Sequence, residues 1–292
     1  MRSPAIPLSL LALLLAAPAA ADREVTRSLP AAPTGRVEIG LFDGSVKVEG
    51  WDKNEVQVVG LLQRSQDELA IEKSGAAVEV EVESPDPAQA RARLTIRVPR
   101  GSSVSIEVLS AGVDVRGVEG EIDIEAVNGD IAVAGKPRQV RASSVTGGVS
   151  IAVQGSQLLR IDSVSGSVKI DADAREVDAD TVAGQLRLRL RGIAAGRFET
   201  VSGSIDAEIA PAPGARFDFE SFSGSIELAV PADYSARYDL QSATGSLSSA
   251  LGGPERDDGD HKLRIERGSG DAIFRMESFN GSIALRPLAA RP

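Results

Sequence analysis

Six residues recur with small changes along the chain: SVSGSV at 163–168, TVSGSI at 200–205, SFSGSI at 221–226 and SFNGSI at 278–283. Aligned on the central glycine, eight copies emerge, at Gly129, Gly147, Gly166, Gly184, Gly203, Gly224, Gly245 and Gly281. Seven of them follow one another at intervals of 18, 19, 18, 19, 21 and 21 residues, and the last comes after 36. A period near twenty is the mark of a stacked-repeat architecture, in which no unit can bury its apolar face alone. The 36-residue gap spans about two periods, as if one repeat were overwritten by an insertion at Leu251–Asp271, which is rich in Gly and Asp.

Two residues before each glycine stands an apolar residue, such as Val164, Val182, Val201 or Phe222, and two after it another, such as Val168, Leu186, Ile205 or Ile226. Alternation continues outward, as in Val168-Lys169-Ile170, which is the period-two pattern of a strand with one buried face. This pattern predicts that both sets of Val and Ile lie inside the column. The glycines, flanked by Ser, Thr or Asn, suit a bend that requires positive φ or close approach between layers. A hexapeptide left-handed helix would need an apolar residue every six positions, which the sequence lacks. The predicted fold is therefore all-β, a right-handed parallel β-solenoid with coils of about 18–21 residues. An antiparallel sandwich is the alternative, although its strands would not need near-identical repeats.

The predicted organisation is a signal peptide at 1–21, a linker at 22–33, an N-terminal β cap with the first coils at 34–108, solenoid repeats at 109–286 interrupted by the insertion 251–271, and a tail at 287–292. Arg2, the apolar run Leu8 to Ala17 and the small residues Ala19 to Ala21 read as an export signal too short to span a bilayer, which needs about 20 residues. In the cap, Phe42-Asp43-Gly44-Ser45-Val46 is a distant echo of the repeat, Ser84-Pro85-Asp86-Pro87 reads as a loop between strands, and Trp51 is expected to pack the start of the column. Pro287 and Pro292 are expected to stop strand pairing at the other end.

The chain has no cysteine, so packing and backbone pairing must supply its stability, and no residue can carry a thioether-linked lipid. Its net charge of -10 opposes nucleic acid and anionic membrane surfaces as partners. With no transmembrane segment expected after signal cleavage, the reading is a periplasmic or extracellular protein.

Val48-Glu49-Gly50-Trp51-Asp52, the stretch Leu94-Thr95-Ile96-Arg97-Val98-Pro99-Arg100-Gly101 and the Val-Ser-Gly-Ser cores together resemble the putative-adhesin family of bacterial exported β-strand-repeat domains of unknown function, over roughly Thr34 to Arg286. The resemblance implies a right-handed β-helix without known catalytic residues. Some relatives are similar to proteins of cell-envelope stress systems.

Candidate chemistry is sparse, and no residue is assigned a catalytic, cofactor-binding or metal role. Asp171, Asp173, Asp178 and Asp180, near Arg175, alternate with apolar residues as a solvated outer face does, and are the best candidates for a carbohydrate or cation site. Glu255-Arg256-Asp257-Asp258-Gly259-Asp260-His261 lacks the ligand spacing of a calcium loop, and His261 is the only histidine, which excludes a multi-histidine metal site. Ser144, Ser163, Thr181, Thr200, Ser221, Ser242 and Ser278 share one register, from which hydrogen bonds between coils are expected. Tyr234 and Tyr238 are expected to pack rather than to stack sugars. The expected function is that of a non-enzymatic exported module, an adhesin or envelope interaction protein with an envelope protein or surface glycan as partner. An accessory or sensor protein of an envelope stress pathway and a carbohydrate-active β-helix enzyme are the alternatives.

Overall fold

The computed structural model describes residues 22–252, 255–259 and 261–288, the side chains of 255–259 excepted. The predicted signal at 1–21 lies outside these residues. The described chain is all-β, with one short 3-10 turn at Pro87–Gln89 in the expected loop after Ser84. No described helix is long and apolar enough to cross a membrane.

In the middle of the column each repeat is one bent strand running from just after one corner glycine to just before the next, whereas the repeats after Gly129 and Gly224 are split in two, as Ile131–Gly135 with Gln139–Thr146 and Ile226–Val230 with Ala236–Ser242. The four unbroken ones are Val149–Ser165, Val168–Ala183, Leu186–Ser202 and Ile205–Ser223. Successive strands pair parallel and in register on both sides of the glycine: Val149 with Val168, Leu186 and Ile205 after one corner, and Ile161 with Ala179, Phe198 and Phe219 before the next. The unequal coil lengths are absorbed at the opposite corner, where the register shifts between Gln154 and Ser156, between Asp173 and Glu176, and around Ile193. Coils therefore vary in length without disturbing the glycine corner.

That corner demands glycine. The backbone at Gly147 has φ +136°, and a Cβ there would stand 2.2 Å from the carbonyl oxygen of Gly129 in the coil below. The same contact repeats from coil to coil, reaching 1.7 Å at Gly203 against Gly184. At these positive-φ corners only a residue without a side chain lets the layers close to strand spacing; in the coil Ser103–Arg116, where the corner residue does not have positive φ, Ala111 stands opposite Gly44.

The bend also changes which residues face inward. Before the glycine, the residues seven, five and three positions back are buried, as are Leu159, Ile161 and Ser163; after it, those two, four and six positions on, as are Val168, Ile170 and Ala172. Three back and two on differ by an odd number of residues, so alternation does not run through the corner. The prediction that both sets of Val are internal fails for the residues two before the glycine. Val164, Val182 and Val201 are 47–51% exposed. One core row instead alternates small and large side chains along the column, Ala142, Ile161, Ala179 and Phe198, and the row beside it ends in a stack of Phe217, Phe274 and Tyr238 with ring centroids 4.8 and 5.0 Å apart.

At both ends the spatial order departs from chain order. The first coil strand, Arg36–Trp51, lies between Ser103–Arg116 on one side and Ala77–Glu83 with Arg91–Pro99 on the other, all parallel to it. Gly44 has φ +127° and takes its place in the corner column. Within the segment expected to be a linker, Arg23–Pro30 is a strand, antiparallel to Glu55–Leu62. At the other end, Ala272–Asn280 slots between Ile205–Ser223 and Ala236–Ser242, parallel to both. The 36-residue gap is the return path for this insertion rather than an overwritten repeat: Glu255–Gly259 and Lys262–Arg267 form a hairpin, and the latter covers the outer edge of Ala236–Ser242 in antiparallel pairing. Covering that edge removes unpaired strand groups that would invite association. Pro287 still pairs with Val230 and closes the last strand, whereas Pro292 lies outside the described residues.

Candidate functional site

The face change at the glycine corner builds a groove along the column. Its floor is the row three positions before each glycine, Ser144, Ser163, Thr181, Thr200, Ser221, Ser278 and Ser242 in spatial order. One wall is the row two before the corner, which Ala111 rather than a glycine occupies in the coil Ser103–Arg116: Phe42, Leu109, Val127, Val145, Val164, Val182, Val201, Phe222 and Phe279. The other wall is the row four before, with Glu107, Glu125, Asp162, Asp180, Glu199, Glu220 and Glu277. Neighbouring rungs are one strand spacing apart, so nine rungs extend about 38 Å, and the groove holds about 1230 Å³.

The apolar wall is selective. Every large hydrophobic side chain that is exposed among the described residues belongs to it, from Phe42 at 36% to Phe222 at 58%. Phe222 and Phe279 stack with centroids 5.2 Å apart. Elsewhere the outer faces carry charged pairs such as Arg160–Asp178 at 3.1 Å and Arg191–Asp171 at 2.6 Å. Scattered exposed apolar residues are ordinary on a soluble surface, but a continuous line of them marks an interaction site.

The acidic wall holds like charges at strand spacing. Of its seven carboxylates, only Glu199 has an ion-pair partner among the described residues, Arg197. Burial pushes the Asp180 carboxyl up to about 6, and the neighbouring Glu199 and Asp162 add to the effect while Arg197 opposes it. One Asp180 oxygen is buried without a hydrogen-bond partner. The floor is buried as well. The hydroxyls of Ser144, Ser163, Thr181, Thr200 and Ser221 are buried and unpartnered, so the expected ladder of hydrogen bonds between coils does not form there. It forms only at the end, where Ser278 and Ser242 donate to the carbonyls of Gly224 and Gly281 at 3.2 and 2.9 Å.

The acidic residues expected to make a sugar or cation site do not converge. Asp171 and Asp173 lie before the far corner and Asp178 and Asp180 after it; Asp171 is tied to Arg191, Asp178 to Arg160, and Asp180 belongs to the groove. Among the described residues, no three His, Cys, Asp or Glu side chains gather as metal ligands. The insertion's acidic side chains at 255–260 lie outside the described residues. His261 is exposed, with φ +57°, and its carbonyl accepts from the Ser242 amide at 3.1 Å. Tyr238 is buried, which raises its hydroxyl above the ordinary value, and the Tyr234 hydroxyl donates to the Ala212 carbonyl at 2.5 Å. Trp51 is half-buried, donating to the Glu55 carbonyl at 2.8 Å beneath the Lys53 ammonium, 4.7 Å from its ring.

Sequence reasoning found the floor row but missed the groove, because it assigned the apolar wall to the core. The signal was present: Arg160 and Asp162 share the parity of Val164, and a strand cannot bury all three.

Among solved structures, the chain is similar to a putative adhesin from Bacteroides fragilis (13% identity over 92% of this chain and 99% of that one, TM-score 0.45). It is similar also to a putative adhesin from Parabacteroides distasonis (9% identity, 91% and 98%, TM-score 0.45) and to a putative lipid binding protein from the same species (12% identity, 91% and 97%, TM-score 0.42). No curated protein matches it. The Toastrack DUF4097 pattern matches residues 36–286, and the chain belongs to that family.

Proposed function

We propose that this protein is a non-enzymatic interaction module, exported to the periplasm or the cell exterior, that holds a partner in the long groove of a right-handed solenoid. One observation carries the reading: all exposed large hydrophobic side chains of the described chain stand in one row, beside a row of carboxylates. A surface kept apolar over nine successive coils costs solubility unless something covers it. The partner is a protein of the envelope or its surroundings rather than a glycan. Sugar faces stack on exposed aromatic rings, and most rungs of this row are Val.

The test is capture from envelope extract by the purified protein and by a variant carrying Val164→Thr, Val182→Thr and Val201→Thr, run beside a glycan array. A partner retained by the wild type and lost by the variant supports the reading. Glycan hits, or capture that ignores the variant, refute it.

A further inference from the structure

We infer that the groove receives a cationic amphipathic helix lying parallel to the column axis; this rests on the reading of the groove as the interaction surface. Backbone chemistry selects the helix. The strands beneath the groove spend their amide and carbonyl groups on the coils above and below, as in Gly184 to Ser202 and Leu186 to Ser204. An extended peptide laid across these side-chain rows would find no backbone partner for its own polar groups, whereas a helix satisfies them internally.

Shape agrees. The apolar row runs straight along the axis for about 38 Å, enough for a helix of about 25 residues at 1.5 Å each. Beyond the row, away from the carboxylates, stand small exposed residues, Ser165, Ala183, Ser202 and Ser223, which leave room for a cylinder of that width. A helix with one apolar stripe places its flanking stripe where the acidic wall lies, two residues along each strand from the Val row.

Charge selects the cation. Glu107, Glu125, Asp162, Asp180, Glu220 and Glu277 have no ion-pair partner among the described residues, and the repulsion from Glu199 and Asp162 that adds to the burial of Asp180 is relieved by lysine or arginine. Phosphate headgroups would meet the same carboxylates as like charges, so a lipid surface fits the groove less well.

The test uses the purified protein and three synthetic 25-residue peptides: a Leu/Lys peptide with leucine on one helical face, a scrambled peptide of identical composition, and a Leu/Glu counterpart of the first. Calorimetric titration is expected to show the amphipathic Leu/Lys peptide binding at least about tenfold tighter than either control. The Val164→Thr, Val182→Thr, Val201→Thr variant should bind it about tenfold more weakly. A separate Asp162→Asn, Asp180→Asn, Glu220→Gln variant should lose several-fold at low salt and less at high salt. Thermal melts followed by circular dichroism establish that both variants are folded, and the comparison among peptides on the wild type needs neither of them. Equal binding of the Leu/Glu or scrambled peptide, wild-type affinity in the Val-row variant, or preference for phosphatidylcholine vesicles over the Leu/Lys peptide overturns the inference. If that peptide fails while an envelope partner is still lost with the Val row, the helix inference falls and the groove reading stands; if neither responds, both fall.

Discussion

Replacing Gly203 by Ala tests the corner on which the groove depends. The added Cβ would stand 1.7 Å from the Gly184 carbonyl oxygen and 2.8 Å from its carbon, both backbone atoms that no rotamer can move. Reaching ordinary contact requires the two coils to part by roughly 1.5 Å at the corner. Two hydrogen bonds span that gap, from Gly184 to Ser202 at 3.1 Å and from Leu186 to Ser204 at 2.9 Å. Losing both costs about 2 kcal/mol, and holding Ala in a sparsely populated backbone region adds about 1–3, for a total of roughly 3–5 kcal/mol. Gly214→Ala isolates the backbone part, since that glycine also has positive φ (+70°) but nothing within 4 Å of its would-be Cβ; about 1 kcal/mol is expected. Lys169→Ala, on the outer face, should stay within about 0.5 kcal/mol of the wild type. Urea unfolding followed by far-ultraviolet circular dichroism gives all three, with the Gly203→Ala midpoint lower by about 1–2 M. If Gly203→Ala and Gly214→Ala prove equally stable, the close approach between stacked corners is not what fixes glycine there, and the reasoning fails.

Two further predictions concern the groove itself. Thr200→Val keeps the shape and removes a buried hydroxyl without a partner, so it should leave stability unchanged or raise it by up to about 1 kcal/mol; Ser242→Ala breaks bonds to the Gly281 carbonyl and the Gly245 amide, both 2.9 Å, and should cost about 1–2 kcal/mol in the same urea assay. Because the Asp180 carboxyl titrates near 6 when folded and near 3.8 when unfolded, the folded state binds the proton more tightly, and its contribution to stability is present below about pH 4 and lost as pH rises through 6. Urea midpoints at pH 4 and pH 7.5 should therefore show Asp180→Asn gaining on the wild type by about 1 kcal/mol over that range, a figure reduced from the full shift because the carboxyl is partly exposed. A constant difference would show that Asp180 does not titrate in the groove.

The departure from chain order at the ends gives the column a mechanical property that its repeats do not imply. The strands Arg36–Trp51 and Ala272–Asn280 are each flanked by parallel neighbours on both sides, so loosening either one breaks two ladders rather than one. Parallel pairing between segments as far apart as Ser221 and Ser278 must close a long loop before it gains any contact, which places these end strands late in folding.

How much was legible in the sequence divides along physical lines. Whatever is local to one repeat could be read there: the glycine that must lack a side chain, the alternation that makes strands, the recurrent Ser and Thr register, and the apolar residues that stack because every coil carries the same ones. The sequence even held the parity of Arg160, Asp162 and Val164, which places Val164 outside. What it could not express is how far the chain turns at Gly166, because a bend at φ +145° decides whether alternation continues through the corner or changes face, and that angle is set by the close approach of the neighbouring coil. Neither could it show that Gly44 joins the corner column, nor that Ala272–Asn280 lies inside Ala236–Ser242. The repeats are nearly interchangeable as neighbours, so their order in space is expressed only in pairings between segments distant in the chain, such as Arg36–Trp51 with Ser103–Arg116 and Ala272–Asn280 with Ala236–Ser242.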